Sequence, residues 1–509
     1  MVTFARARSA AASSGLGVLL LVAACGTTVP LSAQTAQGQQ AGGLGSSADA
    51  PSALRSGAGS STAGGIGGSA AGAAGTGGAG SAASPSGVTP GAGSSSGGAA
   101  VGGAAANTNK PLDLGFISTA CSNCHLLGGQ YANAGGGNSG EDMLRALVKH
   151  QNAVGGINGR KINPIFADID TNDANWPTMF QAVCSTFTQD HHVAAVLGVA
   201  FVFDEGLMNC LTKAGVPWIN SAAGLMGDET VFAKYPTWFS AVEPSQDAQE
   251  LVALTSAWED GWLTPKNVVG MIDQSCSADE RVYTRTLVPW LTAHHINLKA
   301  HEVNTCSDGS AKLGESTSFL SQAVLKMRSE GVDTVVVSSI ALLLFSEDAE
   351  SQNYRPKYLA YGGLAGGEGI ASPNQMVNMH AADWIPTRDF DSSHQPSQTP
   401  QQKACVQDMK SGGLSTAPSE YPVYYAICSN LALYVAAAKA APGLRATDIA
   451  SAIGALGSSV GDLYLLNQAS TWGPRKHFGP STYRVSTYSK ACSCFLYSSG
   501  VRPLPLSGQ

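Results

Sequence analysis

Cys121-Ser-Asn-Cys-His125 has the spacing at which a c-type haem is attached, with two thiols forming thioethers and the histidine ligating the iron. Disulfides are the more economical use of these thiols, because no helical haem-binding body is apparent around them. Gly457-Ser-Ser-Val-Gly461 matches the G-x-S-x-G of serine hydrolases, and His477 follows in a permitted order. That chemistry needs a strand before the serine and a helix after it. Here Ala446 to Leu456 reads as a helix, so a plain turn is the better reading. His191-His192 and His294-His295 invite a metal reading. Adjacent residues on a helix point in different directions, so each pair is expected exposed near a helix end. Neither G-x-x-x-x-G-K nor H-E-x-x-H occurs.

The remaining candidates are the eleven cysteines. Cys25 closes Leu21-Val22-Ala23-Ala24-Cys25, which resembles the lipobox of bacterial lipoproteins and implies cleavage before Cys25 and a diacylglycerol on its sulfur. Ten cysteines then remain, an even number in a disulfide-permissive compartment. Chain order suggests Cys184 with Cys210, Cys276 with Cys306 and Cys405 with Cys428. Cys121, Cys124, Cys492 and Cys494 are left to pair among themselves or, less economically, to hold a metal.

The elements that precede and position these residues fall into three regions. Residues 1–24 read as a signal peptide: Arg6 and Arg8 form a basic start, and Gly15 to Ala24 an apolar stretch too short to span a bilayer. Residues 25–108 are almost wholly Gly, Ala, Ser and Thr. Such a segment has little to bury, so it is expected to be a disordered tether with an end-to-end distance of roughly 50 Å. Residues 109–509 have the composition of a folded body long enough for two ordinary domains. The net charge of −7 and the lack of a basic run give no reason to expect nucleic acid. No later apolar stretch is expected to reach membrane-spanning length, Val335 to Phe345 coming closest.

Within the body, short apolar strands alternate with amphipathic helices. Strands are expected at Leu112–Ile117, Arg160–Ala167, Val193–Leu197 and Val216–Asn220, with helices at Glu141–Asn152, Trp176–Gln189 and Asp204–Lys213. A second series starts after Pro244, with helices at Asp247–Glu259, Asp279–His294 and Ser316–Ser329. Its strands are expected at Asn267–Ile272, Asn297–Val303 and Asp333–Ser338. Such alternation indicates parallel sheets covered on both faces, so the expected fold class is α/β with two doubly wound, Rossmann-like lobes. Ligands of such sheets sit beyond the carboxyl ends of the strands, which places a site in an interlobe cleft.

Asn152-Ala-Val-Gly-Gly-Ile-Asn-Gly-Arg-Lys-Ile162 closely resembles the first helix–turn–strand segment of type I periplasmic solute-binding proteins, in their branched-chain amino-acid and amide-binding branch. The resemblance continues in order through Ala194–Gly198, Lys213–Ile219, Trp238–Gln249 and Gly331–Val337. It implies two lobes joined by a hinge of three crossing segments, lobe 1 being about 109–243 plus a later segment and lobe 2 about 244–363 plus a C-terminal segment. It also implies ligand contacts from Thr119, Ala200, Phe201, Ser221, Ala222, Ala223, Asp273, Ser277, Ser339, Ala341 and Tyr361. Ser277 stands where amino-acid binders often place a tyrosine. Tyr361-Gly-Gly-Leu364 lacks the acid that those binders set against the ligand's ammonium, with Glu368 a few residues on. Phe201, Phe203 and Leu342 to Phe345 fall near cleft-side loops, with core packing as their usual fate.

The function this implies is capture of a small molecule (amino-acid-like, an amide, or an apolar or aromatic acid) for an ABC permease, at the extracytoplasmic face of a bacterial membrane. The expected protein is a lipid-anchored monomer and not an enzyme, and it needs no cofactor or metal. A ligand-sensing receptor lobe of the same fold is the alternative.

Overall fold

The computed structural model describes residues 110–120, 140–170, 176–199, 205–220, 227–306, 313–337, 341–361, 371–385, 397–415, 418 and 421–506. Cys25, the tether and Cys121-Ser-Asn-Cys-His125 lie outside these residues.

The first sheet contains β1 (Leu112–Ala120), β2 (Ile162–Asp170), β3 (Val196–Val199), β4 (Trp218–Asn220) and β5 (Trp238–Ser240). Its order is β2-β1-β3-β4-β5, and every pair is parallel. The second sheet contains β6 (Val268–Gln274), β7 (Asn297–Asn304), β8 (Thr334–Val337), β9 (Lys357–Tyr361) and β10 (Met379–Asp383), ordered β7-β6-β8-β9-β10. The two sheets therefore repeat one doubly wound order, 2-1-3-4-5, whose strand sequence reverses beside the first strand of each half. Antiparallel β11 (Thr482–Ser489) and β12 (Cys494–Tyr497) extend the second sheet past β10, and β13 (Arg502–Pro503) pairs with β11.

Side chains alternate across the second sheet as the strand pleat requires. Met271, Val336 and Leu359 join a core cluster that also includes the first sheet's Leu114, Phe116 and Ile219. Ile272, Val335, Val337 and Tyr358 face the other way, into a separate cluster with Phe345.

The chain changes sheets three times. After Ser240 it enters helix Gln246–Glu259, which packs on β9 and β10. After Asp383 it returns as helices Pro400–Ser411 and Tyr421–Ala440, which pack on helix Gly140–Ala153 and, for the second, on β3 and β4. The last change precedes β11, where Phe478 bridges to Ser240 and Leu466 N–H donates to the Trp384 carbonyl at 2.8 Å.

Asn152-Ala-Val-Gly-Gly-Ile folds as it does for local reasons. The Asn152 amide brackets Ile162, accepting its N–H at 2.7 Å and donating to its carbonyl at 2.9 Å, and so locks the helix end to the start of β2. Gly156 sits at φ +75°, where a Cβ would lie 1.9 Å from the Arg160 carbonyl oxygen. Only glycine fits there.

Three expectations are corrected. Helix Tyr421–Ala440 has 20 residues, and Val423–Ala440 is long and apolar enough to cross a membrane by length and composition alone. Two thirds of that window is buried against the first sheet and neighbouring helices, which makes it a core helix. The expected strand at Val193 begins at Val196, although Ala194 N–H and the Ala195 carbonyl already bond to β1. The single helix expected over Asp279–His294 runs from Ser277 to Ala293 and passes through a π-helical turn at Tyr283–Leu287. Pro289 cannot donate back to Arg285, so the helix ladder widens just ahead of it.

Cys184–Cys210, Cys276–Cys306 and Cys405–Cys428 are bonded in the order that chain position suggested. Each closes a loop of a size that stabilises by roughly 3 kcal/mol through the unfolded state. Cys492 pairs with Cys494, which leaves no thiolate there for a metal.

Candidate functional site

Residues that follow strands of both sheets meet. Asp228 lies beyond β4 and caps helix Glu229–Lys234 by accepting Val231 N–H at 3.0 Å. Its carboxylate also accepts from Arg281 Nε at 2.6 Å, Arg281 Nη2 at 2.9 Å and Arg285 Nη2 at 2.8 Å. Both arginines follow β6, so the pair joins the two halves. Beside it, Asp247 accepts Glu229 N–H at 3.1 Å and the Thr286 hydroxyl at 2.6 Å. The Gln246 amide donates to Asp279. Burial pushes the Asp228 carboxyl up, and the Arg281 and Val231 hydrogen bonds outweigh it, leaving it below the usual range.

Further in, the crossing segment presents an unusual run of buried polar residues: Glu243, Ser245, Gln246, Asp247, Gln249 and Glu250. Tyr361, the last residue of β9, donates its hydroxyl to Glu250 Oε1 at 2.5 Å. Glu250 Oε2 has no partner, although the residue is only 2% exposed. Burial pushes Glu250 up to about 8 against the Tyr361 hydrogen bond, with Asp273, Asp279 and Asp247 adding like charge. Burial and then Asp273 push Asp279 up to about 7. Burial, with Asp383 beside it, holds Glu243 well above the carboxylate range, and its Oε1 also lacks a partner. A protein interior tolerates such groups only when they are protonated or joined by a cation.

Of the residues expected in the site, the structure brings Asp273 and Tyr361 together around Glu250. Asp273, near the end of β6, is buried and stands 3.6 Å from His301 Nε2, whose ring stacks on Tyr283 at 3.8 Å. Ser277 opens helix Ser277–Val282 beside the Cys276–Cys306 bond and is exposed. Thr119 is the penultimate residue of β1, and Ala341 begins helix Ala341–Ser351. Ala200, Phe201, Ser221, Ala222, Ala223 and Ser339 lie outside the described residues. Leu342 and Phe345 are core residues.

Sequence reasoning missed Asp228, Glu243, Asp247, Glu250, Asp279, Arg281 and Arg285. A first helical turn rich in Gln, Asp and Glu reads as a solvated start. The available signal was position: this turn follows directly on a segment that crosses between lobes.

The decoys resolve simply. Gly457 ends a helix at φ +55°, and Ser459 Oγ donates to the Leu456 carbonyl at 2.7 Å, so no strained nucleophile turn forms. His192 and His295 are left-handed residues after helix ends, and His294 stacks on Trp290 at 3.8 Å. Among the described residues no group of three His, Cys, Asp or Glu is placed to hold a metal.

A family model described as periplasmic binding protein matches residues 125–491. Solved structures agree on the fold. A possible leucine/isoleucine/valine-binding protein from Rhodopirellula baltica is 17% identical with a TM-score of 0.51, covering 77% of this chain and 96% of that one. A branched-chain amino acid transporter substrate binding protein from Streptococcus pneumoniae, in complex with isoleucine, is 16% identical with a TM-score of 0.52, covering 77% and 100%. A periplasmic binding protein from Burkholderia mallei is 11% identical with a TM-score of 0.54, covering 78% and 95%. No curated protein matches by sequence. With the twin 2-1-3-4-5 sheets, the three changes of sheet and a family match across most of the folded body, this chain belongs to the periplasmic binding proteins, a family of solute-binding proteins and not of enzymes.

Proposed function

We propose that this protein is a lipid-anchored receptor on the extracytoplasmic face of the membrane, which captures a small molecule in its interlobe cleft and hands it to an ABC permease. Cys25 is the anchoring residue and 25–108 the tether, on the lipobox and composition already described. The cleft is lined from one side by Thr119, Ala200, Phe201 and Ser221 to Ala223. The other side supplies Asp273, Ser277, Ser339, Ala341 and Tyr361.

The observation that carries this reading is the convergence of Tyr361, Glu250 and Asp273 from three elements at the carboxyl ends of the second sheet. Ligands of open parallel sheets bind at such ends. Buried polar groups converging at such ends are what a recognition site requires. The branched-chain amino acid complex of the pneumococcal relative supports a small solute rather than a polymer.

Thermal unfolding across a panel of amino acids, amides, diamines and aromatic acids tests the reading. A true ligand at 100 times its dissociation constant stabilises the native state by roughly 2.7 kcal/mol, seen as a saturable rise in Tm. The absence of any saturable shift across the panel would overturn solute capture.

A further inference from the structure

The carboxylates around the end of β6 outnumber the cations that touch them. Glu250 reaches in from the crossing helix, Asp273 from the strand end and Asp279 from helix Ser277–Val282. Asp273, Asp279 and Asp247 all set like charge against Glu250, and Asp273 and Asp279 also face the Tyr361 hydroxyl. Asp247 is occupied by Thr286 and the Glu229 N–H. Arg281 is the cation nearest Asp279, but its guanidinium is held by Asp228. Among the described residues no lysine or arginine bonds to Glu250, Asp273 or Asp279; Asp273 has His301 Nε2 at 3.6 Å and Asp279 accepts the Gln246 amide, while the buried Glu250 Oε2 is left without any partner.

We propose that the cleft is built for a solute of net positive charge, a diamine or a guanidinium compound, whose N–H donors supply the partner that Glu250 Oε2 lacks and whose charge offsets the repulsion among Glu250, Asp273 and Asp279. This rests on the solute-capture reading and narrows it. An orphaned buried acceptor is costly, so a cation that satisfies it gains affinity that a neutral isostere does not. Burial and mutual repulsion push Glu250 and Asp279 up, with Asp247 from its own helix, Asp273 from β6, Asp279 and Tyr361 facing Glu250, and Asp273, Asp228 and Arg281 facing Asp279. An arriving cation favours both ionised forms, so binding near neutral pH releases protons.

Calorimetric titration of the full mature protein, in two buffers of different ionisation enthalpy, tests this with 1,4-diaminobutane, L-arginine, L-leucine, acetamide and benzoate. The expected result is binding of a net cation in preference to leucine, with about one proton released per ligand near pH 7. Glu250→Gln and Asp279→Asn should each weaken that binding by at least about tenfold, the effect of losing a hydrogen bond to a charged group. Preferential binding of leucine, acetamide or benzoate would overturn the net-cation assignment and leave solute capture standing. Cation binding unmoved by both substitutions would overturn the placement at this cluster. No binding of any probe would overturn both readings.

Discussion

Asp228 and Glu250 are carboxylates sealed from water near the same junction of the two lobes, and they are treated in opposite ways. Asp228 is matched on both oxygens, by Arg281 in a fork, by Arg285 and by the Val231 N–H. Glu250 has the Tyr361 hydroxyl on one oxygen and nothing on the other. Burial opposes both anions; at Asp228 the guanidinium bonds more than offset it, while at Glu250 neighbouring acids reinforce it. The first arrangement fastens one lobe to the other. The second leaves one buried carboxylate oxygen without a partner.

The largest effect is expected where the matched site is emptied. Asp228→Ala removes the cap of helix Glu229–Lys234, a loss of about 1 kcal/mol, and strips both arginines of their partner. Breaking a buried pair costs about 3–5 kcal/mol, and here the guanidiniums still reach water, which argues for the low end. A total loss of about 3 kcal/mol is expected in urea unfolding at neutral pH. Because the folded value lies below the ordinary one, this contribution is present above the unfolded pKa of about 3.8 and disappears as pH falls through the folded value. A deficit under about 1 kcal/mol would mean that the two sites do not differ in the way their partners indicate.

Glu250→Gln should act with the opposite sign, and only above about pH 4.5. Its folded value, about 8, lies above the ordinary 4.5. Its stability contribution is therefore full below about 4.5 and is lost as pH rises through about 8. Without ligand, the variant should match the wild type near pH 4 and exceed it near pH 8, the gap widening by up to about 1.4 kcal/mol per pH unit between. Equal destabilisation at both pH values would show that Glu250 acts by packing and hydrogen bonding alone, and the contrast with Asp228 would fail.

How much of this could be read beforehand divides along the same line. The alternation of strands and helices was readable because the central strands of both sheets are parallel and buried, so β8 carries the apolar run Val335–Val337. Asn152 to Ile162 was readable because its glycines answer to a local backbone demand. Asp273 and Tyr361 were readable as strand-end positions, Tyr361 closing β9 and Asp273 standing one residue before the end of β6. Glu250 could not, because nothing local distinguishes it from the acids that start any exposed helix; its burial comes from β9 and β10 packing over it. Asp228 was hidden for a related reason. A cap residue looks the same whether or not two arginines, more than fifty residues later, close over it.

The smallest effect is expected from Arg285, and it sharpens what the matched site depends on. Arg285 places one nitrogen on Asp228 Oδ2 and also donates to Thr230 Oγ1 at 2.9 Å, but its side chain is 53% exposed. Water can replace most of what it gives. Arg281 meets both oxygens of Asp228 and is 31% exposed, so the fork survives when Arg285 is truncated. Arg285→Ala is expected to lose under about 1 kcal/mol, the range of solvent-reached ion pairs, and to lose less in high salt. Urea unfolding of the variant with and without about 0.5 M salt reads both points. A loss as large as that of Asp228→Ala would show that the single bond from Arg285, rather than the fork from Arg281, holds the lobes together, and the matched site would then be a shared three-residue network in which neither arginine can substitute for the other.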